Sequence, residues 1–353
     1  MISEFSETEL RGVDMSDTLR LYHSKDERFK GLIYDQAYQL VVQNFPVPEE
    51  YTFPRNAVSF ELAYANESYP LTVYEAIEGT VIRVYYHKEE WHLSTSSRLD
   101  AFASTWASDQ SFGHQFEQWV ETVSGVPLDV FLCSLRQDRK YFFLLPTTGI
   151  NRLGKLPREE SHVHRIYLVA IETDTHELLF GPRLPRDETN LWSYAREWSV
   201  ASVHEWMTLA EEFNLIYYRS ATKLVKCMTE SYAERCALRN NQINIFHRYL
   251  ELYQAGEHDR CDALRNMYPE MDYETLLFDK MDRAIRVIHQ AYMTRYVHRQ
   301  VVHLPKTLYV LIRKCHNRYR ETREKTTYTT IRAILLEQQP RHILQLLNEV
   351  EQT

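Results

Sequence analysis

Glycine is scarce, at 9 of 353 residues. That excludes a chain built around Gly-rich phosphate loops and makes each glycine a position where the backbone has a special need. No apolar run approaches the roughly 20 residues that cross a bilayer, and the start, MISEFSETELRG, lacks the basic and apolar regions of a signal peptide. The chain therefore reads as soluble and intracellular, with no membrane partner. Five cysteines, Cys133, Cys227, Cys236, Cys261 and Cys315, are widely spaced, with no C-x-x-C pair and an odd total. They support neither a zinc site nor a disulfide framework. No G-x-S-x-G or Cys-His family signature occurs, so a serine or cysteine nucleophile has no support.

What is present is an ordinary globular balance, 44% hydrophobic and 25% charged, with 24 tyrosines and 15 phenylalanines. Most of these aromatics are expected to fill a core; tyrosine in such excess also suits surfaces that stack bases. The net charge of −8 is unevenly spread, because Arg283 to Lys325 holds eleven Lys or Arg against two acids. A basic face on an acidic body points to a polyanion, and nucleic acid is the natural one, since each neutralised phosphate releases counterions. The structural reading of the same stretch is a solvated helix face paired with the acidic remainder of the chain. Within it Arg295, Arg299, Arg313, Lys314, Arg318 and Arg320 are the candidate phosphate contacts, and Tyr296 and Tyr319 the candidate stacking platforms. No RNP, KH or zinc-finger signature supports sequence-specific recognition.

Two textures divide the chain. Up to about Tyr218, short runs rich in Val, Ile, Tyr and Phe recur between turn residues, as in TVIRVYY, EWHLSTS, KYFFLLP, RIYLVAI and FNLIYY. This is the pattern of a mostly antiparallel sheet with connecting helices. SDQSFGHQFEQWVETV and the stretch from Asn190 to Phe213, with Trp192, Trp198 and Trp206, carry helical spacing, and NFPVPEEYTFP reads as a proline-spaced extended connector. From Thr229 the pattern is helical: Met281, Ile285, Ile288, Tyr292 and Tyr296 recur at three- and four-residue steps. The expected fold is α+β, with residues 1–228 as an antiparallel-rich domain and 229–353 as an all-helical, basic domain. His162 and His164, at i and i+2, would face the same way on a strand, but no third metal ligand accompanies them.

Five short elements in order carry a resemblance: ERFKGLIYD (Glu27–Asp35), Glu78-Gly79-Thr80 after Ala76, WHLSTSS, YFFLLPTTGINRL with Asn151 and Arg152, and KLVKCMTESY with Lys226. The segment from about Ser24 to Tyr232 resembles the nucleotidyltransferase domain of phage-type RNA ligases and of ligase-like proteins encoded by large DNA viruses. The resemblance implies a nucleotide cleft formed by Glu78, Gly79, Thr80, Asn151, Arg152 and Lys226. It also implies a lysine, in K-x-D/E-G-[ST], that attacks the α-phosphate of ATP or GTP. Here that position is Ala76, whose methyl group is no nucleophile. The acid expected beside Phe142 and Phe143 is Leu144, the glycine expected after Glu211 or Glu212 is Phe213 or Asn214, and the second lysine of K-x-K is Met228. A segment with Arg239, Asn240 and Arg248 is similar to one that follows the last motif in the viral ligase-like proteins, with Asn240 suited to a left-handed helix end.

The expectation is thus a degenerate ligase-like protein of a large DNA virus, a pseudoenzyme of the host cytoplasm or virion that binds RNA or DNA or other viral proteins and needs no cofactor. A second reading is an active RNA ligase with a displaced lysine, requiring ATP and Mg²⁺. A third is a purely structural virion subunit whose basic face binds an acidic protein.

Overall fold

The computed structural model describes residues 9–25, 29–106, 110–147, 165–185, 191–220 and 223–351. The chain divides into two compact units, Met1–Arg235 and Cys236–Thr353. The class is α+β, with antiparallel-rich sheets in the first unit and helices in the second. Sequence texture put the boundary after Met228; the last strand ends at Thr229 and a helix carries the chain across the division.

The first unit holds three sheets. Strands β1 (Leu10–Met15), β2 (Leu19–Ser24), β3 (Lys30–Asp35) and β4 (Leu40–Val42) form an antiparallel meander. β5 (Glu49–Phe53) and helix α1 (Ala57–Tyr64) follow, then β6 (Leu71–Glu75), β7 (Gly79–His87) and β8 (Glu90–Ser94). After helices α2 (Phe112–Ser124) and α3 (Leu128–Ser134) come β9 (Lys140–Pro146), β10 (Tyr167–Glu172) and β11 (Leu178–Phe180). β12 (Glu197–Val200), α4 (Val203–Glu212), β13 (Leu215–Ser220) and β14 (Lys223–Thr229) complete the unit. The second sheet runs β11-β10-β9-β7-β8 and the third β12-β6-β13-β14-β5. TVIRVYY and KYFFLLP, on β7 and β9, are direct antiparallel neighbours from Gly79↔Pro146 to Val84↔Tyr141.

Burial follows the alternation. On the second sheet Ile82, Val84, Phe143 and Leu145 face α2 and α3 through Phe116, Val120 and Phe131. On the third sheet Phe53, Val73, Leu215 and Val225 pack on α1 and α4 through Phe60, Tyr64 and Trp206. Two local expectations are corrected. The tryptophan-rich stretch is helical only from Val203, because Glu197, Trp198, Ser199 and Val200 pair with β6 and Ser202 caps the helix by accepting the N–H of Glu205. The proline-spaced connector contains β5, which pairs in parallel with β14 from Val225↔Glu49 to Thr229↔Phe53.

Gly31 shows why one glycine in the first motif has no substitute. Its φ is +84°, and a Cβ there would lie 2.6 Å from the Ser96 carbonyl oxygen. The fully buried Arg83 side chain anchors the same junction, donating to the carbonyls of Gly31 and Thr95. Beside it His23 accepts the Gly31 N–H at Nδ1 over 2.8 Å. Burial, with smaller contributions from nearby cations, holds His23 below the usual histidine pKa, and burial does the same for His87. Between the folded and the ordinary values the unfolded chain binds more protons, so stability is lost as pH falls through about 6.5 and down to the lower folded values. The urea midpoint of the protein is therefore expected to drop between pH 7.5 and 5.5, and His23→Gln to flatten that drop; a pH-independent midpoint would refute the assignment.

From α5 (Glu230–Arg239) the chain leads, in the second unit, to α6 (Ile245–Gln254), α7 (His258–Met267), α8 (Lys280–Tyr292), α9 (Lys306–Thr322), α10 (Tyr328–Leu336) and α11 (Pro340–Glu351). Helix α8 is the hub, packing on α9, α10 and α11. It buries Met281, Ala284, Ile285, Ile288, Ala291 and Tyr292 along one stripe. Wider π turns, Glu274–Asp279 and Met293–Val297, extend it at both ends. Asn240 and Asn241 adopt the left-handed conformation, at φ of 52° and 53°. Arg239 donates to the carbonyls of Gln242 and Ile243, and Arg248 to that of Leu238 and to Glu251, so this segment is tied to its own backbone.

Candidate functional site

Residues Ala76 to Glu78 carry the chain from the third sheet to the second. The Ala76 N–H donates to the Asn214 carbonyl (2.8 Å), and the Glu78 carbonyl accepts the Thr147 N–H (2.9 Å). Asn214, where the resemblance led one to look for glycine, also accepts the Thr229 N–H through its side chain (2.9 Å). These bonds bring the crossover against β13 and the end of β14.

Between the two sheets lies a cavity of about 160 Å³, and Ala76, Leu144 and Lys226 all line it. Its remaining wall is mainly apolar, with Phe45, Val81 and Tyr218 among the contributors. Lys226 projects from β14 with 27% of its side chain exposed. Its ammonium lies 3.6 Å from Glu50 on the neighbouring strand and 5.6 Å from the centre of the Tyr232 ring. Glu50 was not singled out in the sequence; the signal was present only once β5 was known to lie beside β14, with Lys226 directly opposite Glu50.

Three residues expected in the cleft lie beside this cavity rather than in its wall. Glu78 ends the crossover, and Gly79 and Thr80 open β7 opposite Pro146 and Leu145. Gly79 is among the residues that the resemblance puts in the nucleotide cleft. The close neighbour is β9, since a Cβ on Gly79 would sit 2.3 Å from the Leu145 carbonyl oxygen. Asn151, Arg152, His162 and His164 lie outside the described residues. Among the described residues no group of three or more His, Cys, Asp or Glu is placed to hold a metal ion.

A larger opening of about 690 Å³ flanks the first; Tyr74 and Tyr218 line it, with Thr72, His176, Arg183 and Arg219. Tyr218 borders both spaces and stacks on Phe180 at 4.8 Å and 24°. Arg183 is bridged to Glu177 and Arg219 to Glu67, and the Arg219 guanidinium lies over the Tyr64 ring.

In the second unit the structure separates the six candidate cations. On α9, Lys314 bonds the Gln338 side chain and Arg318 pairs with Glu337 at 3.3 Å, both toward the α10–α11 turn. Arg295 donates to the Tyr309 hydroxyl (3.1 Å) and lies over that ring at 4.8 Å. Arg299, Arg313 and Arg320 are exposed, with no ion pair among the described residues. Adjacent positions on a helix point about 100° apart, so Arg313 and Lys314 face different ways. A second cavity, of about 630 Å³, sits where the π turn after α8 meets α9 and the Lys325–Tyr328 segment. Tyr296 and Tyr319 both line it, joined by Tyr292, legible in the sequence only as a helix position, and by His316 and Tyr328, which were not singled out in the sequence. The signal was the i, i+3 spacing of His316 and Tyr319 facing Tyr292 and Tyr296 at i, i+4.

No family model matches the chain. It is 25% identical over 361 residues to an immediate-early protein ICP-46 homolog of Invertebrate iridescent virus 6, across 92% of this chain and 77% of that protein. It is 24% identical over 226 residues to an immediate-early protein ICP-46 homolog of Invertebrate iridescent virus 3, across 62% of this chain and 48% of that protein. The chain is thus similar to proteins of large DNA viruses. No helix among its described residues is long and apolar enough to cross a membrane.

Proposed function

We propose that the first unit is a ligase-like nucleotidyltransferase fold that has lost self-nucleotidylation, and that the protein acts in a large DNA virus by binding nucleic acid. One observation carries this reading: Ala76, Leu144 and Lys226, distant in sequence, converge on one cavity in the relation the resemblance implies. The convergence supports the fold assignment; the residue types argue against the chemistry. Forming a phosphoramidate needs an amine with a lone pair aimed at the α-phosphate at roughly 3–3.5 Å. A methyl group stands there. Developing charge on a transferring phosphoryl group needs cations and metal-holding acids. Leu144 offers neither, and the ammonium of Lys226 is already shared with Glu50. At about 160 Å³ the cavity is also below the roughly 300–1,000 Å³ of small-molecule sites. The similarity to viral immediate-early proteins agrees with an origin in a large DNA virus, and the exposed Arg299, Arg313 and Arg320 agree with a polyanionic partner.

The test is the intact mass of the protein after incubation with Mg²⁺ and ATP or GTP. No nucleotidyl adduct is expected on the native chain. Ala76→Lys should yield at most a trace, because Leu144 and Met228 still lack the groups that hold metal and phosphate. A strong adduct on the native chain, mapped to any lysine, would instead establish the active-ligase reading with a displaced nucleophile.

A further inference from the structure

We infer that the cavity of the helical unit is a stacking pocket for an unpaired nucleobase of a single-stranded nucleic acid, with the adjoining phosphate held at its basic rim. This rests on the nucleic-acid reading above and gives it a location. The pocket has flat walls. Tyr296 and His316 stack face to face, with ring centres 3.9 Å apart and 8° between planes, and Tyr319 continues the stack on His316 at 6.1 Å and 28°. Tyr292 approaches Tyr296 at 5.4 Å, and His289 approaches Tyr328 at 4.6 Å. Tyr328 is 54% exposed, so its ring is reachable from solvent. At about 630 Å³ the space falls within the range of small-molecule sites.

The polar groups select the class of occupant. Nδ1 of His316 and Oγ1 of Thr326 are buried and have no hydrogen-bond partner among the described residues. Both residues line the pocket. Buried orphan groups are uncommon in native proteins, and a base edge supplies both donors and acceptors to satisfy them. Burial, and next the charge of Arg320, depress the His316 pKa, which keeps the ring neutral for stacking. Lys325 is in the wall, Arg320 follows His316 by one helical turn, and the Arg295 guanidinium lies 5.7 Å from the Tyr296 ring centre. Among the described residues no carboxylate lines the pocket. An aromatic cage for a methylated ammonium would put its cation beside these positive groups, whereas a base carries its phosphate to them. The π turn at Met293–Val297 supplies the geometry, because its extra residue per turn sets Tyr296 against α9.

The experiment is fluorescence anisotropy on the full chain with labelled ten-residue oligo(dT), oligo(rU) and an abasic strand of equal length and charge. The expected result is binding to the base-bearing strands at least about tenfold tighter than to the abasic one. Tyr296→Ala should weaken binding of the base-bearing strands by about 5- to 100-fold. The same variant should leave the abasic strand unaffected, and Tyr296→Phe should keep native affinity. Tyr319→Ala, on α9, carries the same expectation, and the abasic comparison needs no variant. The dT and rU arms tell DNA from RNA. Equal affinity for base-bearing and abasic strands would overturn the pocket while leaving nucleic-acid binding intact; no binding to any strand would overturn both. Displacement of oligo(dT) by a trimethyllysine peptide would show a cation cage and overturn the assignment.

Discussion

Replacing Glu172 with alanine is expected to lower the stability of the protein by about 3 kcal/mol, which for a unit of this size lowers the melting temperature by roughly 6–12 °C. The carboxylate has no solvent exposure and serves three partners. One oxygen accepts the backbone N–H of Gln43 at 2.9 Å; the other takes the Lys140 ammonium at 3.3 Å and the His176 ring. Without it an ammonium only 15% exposed and a backbone N–H lose their acceptor together. The cost of breaking such a pair comes chiefly from the group left behind. The estimate takes the low end because Lys140 also reaches the Thr173 carbonyl and retains some water. Urea unfolding checks it: a loss below 1 kcal/mol would show that the network is not maintained in solution. Adding Lys140→Met to Glu172→Met should return part of what Glu172→Met removes, since the pair then vanishes as a unit.

Trp206→Ala should cost about 3–5 kcal/mol. Its ring is fully buried, edge-on to Phe60 at 4.7 Å and to Tyr217 at 5.1 Å, and tilted to Tyr64 at 5.5 Å. Those partners belong to α1 and β13, so the indole joins α4 to both a neighbouring helix and the third sheet. Truncation leaves a void that aromatic neighbours on rigid elements cannot close. Trp206→Phe should lose less than half as much, and the near-ultraviolet circular dichroism should drop in step with the urea midpoint. A midpoint unchanged by Trp206→Ala would mean that α4 does not pack on this sheet.

The strands of the first unit were legible because Val81, Ile82, Val84 and Phe142 to Leu145 sit in short β-branched and aromatic runs that carry their own preference. The helical unit was legible through the three- and four-residue steps of α8. What escaped was decided by partners remote in sequence. β12 was hidden because Trp198 lies between Trp192 and Trp206 in a stretch that reads as helical, and only pairing with β6 makes it a strand. Arg83 and Glu172 are charged residues within strand runs, and nothing local distinguishes them from a solvated face, yet both are fully buried. In the candidate site, Ala76, Leu144 and Lys226 were found from the order of short elements, while Phe45 and Tyr218 carried no signal because their place depends on how two sheets meet. The basic run was visible as charge but not as a surface. Helix geometry divides it, sending Lys314 and Arg318 to neighbouring side chains and leaving Arg313 and Arg320 exposed.

The parallel pairing of β5 with β14 sets an order of events during synthesis. β5 is made early, at Glu49–Phe53, and among the described residues its one strand neighbour in the sheet spans Lys223–Thr229. At ribosomal rates that interval lasts on the order of ten seconds or more, long compared with the microseconds in which a local hairpin closes. The ladder of the β1–β4 meander joins consecutive strands, so its pairing can start on the emerging chain even though its inner face later packs on β7, β9 and β10, whereas β5 must wait for β14. Until then Tyr51 and Phe53, which end up in the core, have no sheet to enter. Nascent chains halted before Thr229 should therefore expose this segment to chaperones and proteases, and those halted well after it should not.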